Sequence, residues 1–139
     1  MTTIRIGSDS EYIRISLPIS YTSEGWAEAE VEIRVDGFHG QIKPWVEAAD
    51  FESFTSQLRE LYSTIGGAAE LRPREEQFVL RLFARPLGQI AVSGEAWSYA
   101  TYGSKLKFEF ELDQSYLVQP LSELELLQAT IQSDFRGGS

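Results

Sequence analysis

The chain is 139 residues long, 42% hydrophobic and 12% aromatic, with a formal charge of -9 and no cysteine. That length suits one domain burying about 68% of the surface its unfolded chain exposes, and the missing cysteines exclude disulfides, thiol nucleophiles and cysteine-held metal centres. The negative field repels phosphate backbones and makes a basic partner the natural complement, while the lack of a signal-like start or of an apolar run able to cross a bilayer leaves cytoplasm as the expected compartment, without membrane or nucleic-acid contact.

The first half reads as strands. "TIRIG" and "EYIRISLPI" alternate apolar and polar residues, with Ile13, Ile15 and Leu17 on one parity. In "WAEAEVEIRVDGF" the same period puts Val31, Ile33 and Val35 inward and Glu28, Glu30, Glu32 and Arg34 outward. Asp36-Gly37 is a turn signal, and "FHGQIKPWVEA" resumes as an antiparallel neighbour in which Pro44 marks an edge or a bulge. From Asp50 the period lengthens: Phe51, Phe54, Leu58, Leu61 and Ile65 fall at helical spacing, with Asp50 as a plausible N-cap and Gly66-Gly67 as the stop.

Four more strands follow, "AAELRP", "QFVLRLFA", "GQIAVSGEAW" and "KLKFEFEL", separated by turn chemistry at Pro73-Arg74, Pro86-Leu87-Gly88 and Tyr102-Gly103. A second helix places Leu117, Leu121, Leu124, Gln128 and Ile131 near one face, and Pro120 either starts it or kinks it. The expected fold class is α+β: an antiparallel sheet of about seven to eight strands with two helices packed on one face, a single domain over residues 1–135 and a flexible tail at 136–139. The echo between Asp50-Phe51-Glu52-Ser53-Phe54 and Asp113-Gln114-Ser115-Tyr116-Leu117 reads as shared strand-to-helix grammar, too short to establish duplication.

Chemistry is scarce. His39 is the single histidine, so it has no second imidazole with which to hold a metal, and no phosphate loop, nucleophile elbow or helical zinc motif is present. No catalytic residue, metal ligand or cofactor is therefore assigned. Glu109 and Glu111, two apart on a strand, lie about 7 Å from one another on one face, within the range of glycosidase carboxylate pairs, but alternation points them at water, where neither is placed to hold a proton. The aromatics say more. Unless Gly94 is a bulge, Glu95, Trp97 and Tyr99 face away from Ile90 and Val92, and large rigid rings beside acids are what a protein-binding patch needs. The candidate partner-binding residues are Glu95, Trp97, Tyr99, Tyr102, Glu109 and Glu111. Phe83 makes its strand apolar on both faces, which calls for a covering loop or a partner chain.

The stretches "FHGQIKPWVEAADFESFTSQLRELY", "GGAAEL", "LRLFARPLGQIAVSGEA" and above all "LKFEFELDQSYL" resemble, in order and spacing, the WapI family of bacterial immunity proteins. That resemblance implies an α+β protein without enzymatic activity, a small cytoplasmic partner encoded with a polymorphic toxin, which it neutralises by binding. It carries over no catalytic residue. The reading is a non-enzymatic binding module whose acidic, aromatic-bearing surface docks a basic toxin domain. Two alternatives stay open: a ligand-binding domain or hydrolase using clustered carboxylates, and a structural homodimer formed through the Phe83 side.

Overall fold

A computed structural model of the protein describes residues 2–18, 25–100 and 102–137, with side chains described through residue 129. In chain order the elements are β1 (Thr2–Gly7), β2 (Tyr12–Leu17), β3 (Trp26–Glu28), β4 (Glu30–Val35), β5 (Phe38–Ile42), β6 (Trp45–Glu47), α1 (Ala48–Thr64), β7 (Ala68–Leu71), β8 (Phe78–Ala84), β9 (Gln89–Tyr99), β10 (Tyr102–Asp113) and α2 (Val118–Gly137). The class is α+β, as expected. Among the described residues the eight longer strands divide evenly between two antiparallel sheets, ordered β1-β2-β4-β5 and β10-β9-β8-β7, and β3 pairs with β6 as a short separate ladder.

That third ladder comes from a kink. The hairpin of residues 26–47 is one continuous pairing in the sequence pattern, but Ala29 and Lys43-Pro44 break it, and Ala29 N–H donates to the Pro44 carbonyl at 2.9 Å across the break. Proline has no N–H to give to a ladder, so pairing restarts beyond it. Pro44 is thus both at the edge of the first sheet and at an irregularity.

The two halves share one plan, a four-stranded meander followed by a helix, with the helices exchanged: α1 packs on β7 of the second half and α2 on β1 of the first. Each helix also caps the edge it covers, since Arg5 N–H on β1 donates to Glu123 Oε1 at 2.9 Å and Glu70 N–H on β7 donates to Gln57 Oε1 at 3.0 Å. A sheet edge left open is a template for unwanted pairing. The faint sequence echo therefore corresponds to a repeated topology.

One contiguous core joins both sheets and both helices: Ile4, Ile6, Ile13, Ile15 and Ile33 from the first sheet, Phe78, Leu80, Leu82, Ile90 and Val92 from the second, and Phe51, Phe54, Leu58, Leu61, Leu121 and Leu124 from the helices. Burying each large apolar side chain contributes about 1.5–3 kcal/mol. Period two thus places the alternating strand residues inside, and period 3.6 does so for Phe51, Phe54, Leu58, Leu61, Leu117, Leu121 and Leu124.

Helix boundaries depart from the sequence reading in three places. Asp50 is not the N-cap of α1; Glu47 is, and Asp50 accepts the Glu47 N–H at 2.8 Å from the third helical position, as in a capping box. Burial pushes the Asp50 carboxyl up, ahead of the Glu47 N–H bond, which lowers it. Ile65 leaves the buried face, because it is the C-cap, held at φ 51° and 47% exposed. Asp113 accepts Ser115 N–H at 3.0 Å, and hydrogen bonding to the Ser115 side chain, then to this N–H, holds its carboxyl below the usual range, but the element it caps is a 3-10 turn at Gln114–Leu117. α2 begins only at Val118, with buried Pro120 in its first turn where no N–H is required. Of the expected tail, Arg136 and Gly137 belong to α2 while 138–139, like the Ile131 side chain, lie outside the described residues.

The outer face of the first sheet centres on Glu32. Its carboxylate receives Tyr12 Oη at 3.1 Å, lies 2.9 Å from His39 Nε2 and pairs with Arg14. The His39 hydrogen bond, opposed by partial burial and aided by Tyr12 and Arg14, holds the carboxyl below its usual range. A folded-state pKa lowered in this way contributes stability above the unfolded value that disappears as pH falls through the folded one. Thermal melts between about pH 5 and pH 3 should therefore fall less steeply for Glu32→Gln than for the wild type; parallel slopes would show that the network adds nothing to stability.

Candidate partner-binding face

All six candidate residues lie on one hairpin, β9–β10, whose register runs unbroken from Leu106 opposite Ala96 to Asp113 opposite Gln89. Gly94 is therefore not a bulge; the irregularity falls between Tyr102 and Lys105, where Gly103 adopts φ 88° and Ser104 N–H donates to Ser98 Oγ at 2.9 Å. The continuous register keeps Phe108, Phe110 and Leu112 inside and sends Glu95, Trp97, Glu109 and Glu111 to the outer face of the second sheet. Parity alone decides this.

At the hairpin tip Tyr99 and Tyr102 stack, ring centroids 5.0 Å apart and planes 12° apart, and stand 58% and 63% exposed. Trp97 is half-buried beside them, with the Lys105 ammonium 5.1 Å from its ring centroid. Offset ring pairs and cation–π contacts fix the orientation of side chains that would otherwise be mobile. The tip is a rigid aromatic group open to solvent.

Toward the other end the face is a lattice of ion pairs. Glu95 meets Lys105 at 3.3 Å and Lys107 at 3.7 Å; Glu109 and Glu111 meet Arg85 at 3.7 and 3.1 Å; Glu70 meets Arg72 at 3.0 Å and Arg81 at 2.6 Å. Burial pushes the Glu95 carboxyl up, but the Lys105 hydrogen bond and the two lysine charges outweigh it and hold the group below its usual range. The Arg72 hydrogen bond, opposed by partial burial and joined by Arg81, lowers Glu70 likewise. The face expected to be acidic is thus charge-alternating. Sequence reading picks out the glutamates but misses the cations opposite them, because Arg85 comes from the turn after β8 and Lys105 and Lys107 from the facing strand β10, pairings only the register reveals.

A shallow hollow of about 340 Å³ opens on this face between Arg81, Ser93, Glu95, Lys107 and Glu109. A larger one, about 500 Å³, lies over the first sheet beside Arg14, Glu30, Glu32, Gln41 and Lys43. Arg14 and Gln41 at the second are taken up by Glu32, and although aromatics are exposed on both sheets, Phe38 at 65% on β5 among them, the exposed pair that stacks, Tyr99 with Tyr102, lies on the hairpin. Partner anchors are aromatic, which favours the hairpin face. Glu109 and Glu111 stand 67% and 53% exposed on the open sheet, so neither has the desolvated setting an acid catalyst needs, and the hydrolase alternative finds no support in this pair. Among the described residues no group of three or more His, Asp and Glu side chains is placed to hold a metal, and no helix is long and apolar enough to cross a membrane.

The model of the immunity protein WapI-like family matches residues 4–129, from β1 through most of α2. The chain belongs to that family. This WapI-like protein is accordingly an immunity protein, whose business is binding a cognate toxin. Comparison with curated proteins finds no match. Among solved structures, the chain resembles Trypanosoma brucei MRP1/MRP2 with a TM-score of 0.52 at 9% identity, over 99% of this chain and 86% of that one, which speaks for the arrangement of sheets and helices alone. A chain of the CdiA-CT/CdiI toxin and immunity complex from Enterobacter cloacae aligns with a TM-score of 0.47 at 14% identity, over 80% of this chain and 97% of that one.

Proposed function

We propose that this immunity protein acts without enzymatic activity, as one α+β domain over residues 1–135 in the cytoplasm, and neutralises its toxin by docking it on the outer face of the second sheet. Glu95, Trp97, Tyr99, Tyr102, Glu109 and Glu111 form the contact surface. The observation that carries this reading is the stacked, exposed Tyr99–Tyr102 pair beside Trp97, at the end of a charge-alternating face. Rigid aromatic anchors supply most of the energy of a protein interface, and surrounding ion pairs set register and exclude mismatched partners.

The toxin is a basic domain in this reading. The ion-paired face supplies little net attraction of its own; the field of a chain at -9 steers a cationic partner from a distance. Association should accordingly slow as salt rises, while dissociation changes less. The test is co-purification with the toxin domain encoded beside this gene: wild type is expected to elute as a complex, and Trp97→Ala with Glu109→Lys to separate from it. Free toxin beside wild-type protein at micromolar concentration would end the proposal, and a wild-type homodimer in place of the complex would favour the self-association alternative.

A further inference from the structure

Two bulky apolar residues of this chain occupy backbone conformations that side chains of their kind rarely adopt. Leu87 lies at φ 64° and ψ 30° in the β8–β9 turn, followed by Gly88 at φ 74°, and Ile65 lies at φ 51° at the end of α1. Two successive residues with positive φ in a turn are usually Asn or Gly, and the left-handed residue closing a helix is usually Gly or Asn. A branched side chain at such a position is strained. Leu87 gains no burial in return, at 97% exposed, and Ile65 stays 47% exposed.

Both fall at the same end of the second sheet. Ala84 N–H donates to the Gly67 carbonyl at 3.0 Å, tying the segment after Ile65 to the segment before Leu87, and Arg85 N–H donates to the Gln89 carbonyl at 2.7 Å, closing the turn. Between them Phe83, 48% exposed, faces outward in register with Ala68 and Ala91, in the row that continues to Glu111. One fully exposed and two half-exposed apolar side chains thus stand at one corner of the fold. Local rules broken without a structural gain are expected where function requires them.

We infer that Leu87, with Ile65 and Phe83 beside it, is a second anchor for the toxin, a rigid apolar projection that enters an apolar socket on the partner. This rests on the docking face proposed above. Continuity argues for the toxin as occupant, because the Phe83 row runs directly into Glu111 and its Arg85 pair. The aromatic hairpin tip and the apolar corner then hold opposite ends of one interface, separated by the length of β9 from Gln89 to Tyr99, about 33 Å at the strand rise, which is roughly the breadth of a patch of standard size.

The experiment is to replace Leu87→Asn and, separately, Ile65→Asn in the full chain, and to measure both the melting temperature and the affinity for the toxin domain encoded beside this gene. Relief of the left-handed strain should raise the melting temperature by a few degrees, about 3 °C for each. Loss of the anchor should weaken toxin binding at least tenfold for Leu87→Asn. A residue kept only for folding cannot give opposite signs. Unchanged affinity of Leu87→Asn, with wild type binding normally, would overturn this inference and leave the docking face standing, whereas no binding by wild type would remove the face itself. If Leu87→Asn instead dissolves a wild-type homodimer and leaves toxin affinity intact, the corner belongs to a second copy and the inference is likewise overturned.

Discussion

Gly94→Ala is expected to cost about 3 kcal/mol of stability, the upper part of the range for overpacking, and to lower the melting temperature by about 10 °C. Gly94 sits in the middle of β9, facing inward between Leu80 of β8 and Phe108 of β10. A methyl group there would lie 2.3 Å from the Val79 carbonyl oxygen and 2.5 Å from Phe108 Cζ, both far inside contact distance. The Phe108 ring lies over the glycine and stacks on Phe78, centroids 6.5 Å apart. Adding Phe108→Leu should recover only part of the loss, because the second obstacle is backbone and cannot rotate away. Thermal denaturation checks both variants; a Gly94→Ala protein as stable as wild type would mean that the sheet shifts freely at its centre. Since the register at Gly94 sets which side of β9–β10 faces outward, this substitution tests the geometry on which the binding face depends.

Tyr99→Ala with Tyr102→Ala is expected to leave the fold almost untouched and to weaken toxin binding by about 30-fold or more, the effect of losing a hot-spot group of about 2 kcal/mol. Both rings are more than half exposed and touch each other, so their removal opens no core cavity, and surface substitutions of this kind stay within about 0.5 kcal/mol in stability. The single substitutions should each cost more than half of the double, since removing either ring also takes away the stacking partner that fixes the other. Surface plasmon resonance would separate the rates: the loss belongs in faster dissociation, because the substitution changes no charge. A loss confined to association would point to steering and away from anchoring.

Much of the architecture is legible in the chain because burial follows simple periods. Ile13, Ile15 and Leu17, Val31, Ile33 and Val35, and Phe108, Phe110 and Leu112 alternate strictly, and each set is buried. What alternation does not contain is the assignment of strands to sheets. That the expected strands divide into two four-stranded sheets, with each helix crossing to the other half, depends on long-range pairing and on the break at Ala29 and Pro44.

The candidate site is legible as residues and illegible as electrostatics. Parity correctly turns Glu95, Trp97, Glu109 and Glu111 outward, but the cations that answer them arrive from Arg85, Lys105 and Lys107 through registers set by turns. Leu87 and Ile65 are harder still, because "RPLGQ" and "TIGG" look like ordinary turn and helix-stop signals. Only the left-handed angles and the exposure show that the residue in the strained position is the wrong kind for the fold.

Docking of the toxin on the outer face of the second sheet makes a direct distinction between the two sheets. Isothermal titration of the toxin domain encoded beside this gene into wild type, into Tyr99→Ala/Tyr102→Ala and into Lys43→Ala, an exposed position on the first sheet beside its larger hollow, tests it directly. The expected result is tight binding by wild type and Lys43→Ala and a loss of about 30-fold or more for the tyrosine pair. Full affinity in the tyrosine variant, with binding lost in Lys43→Ala, would place the interface on the opposite sheet.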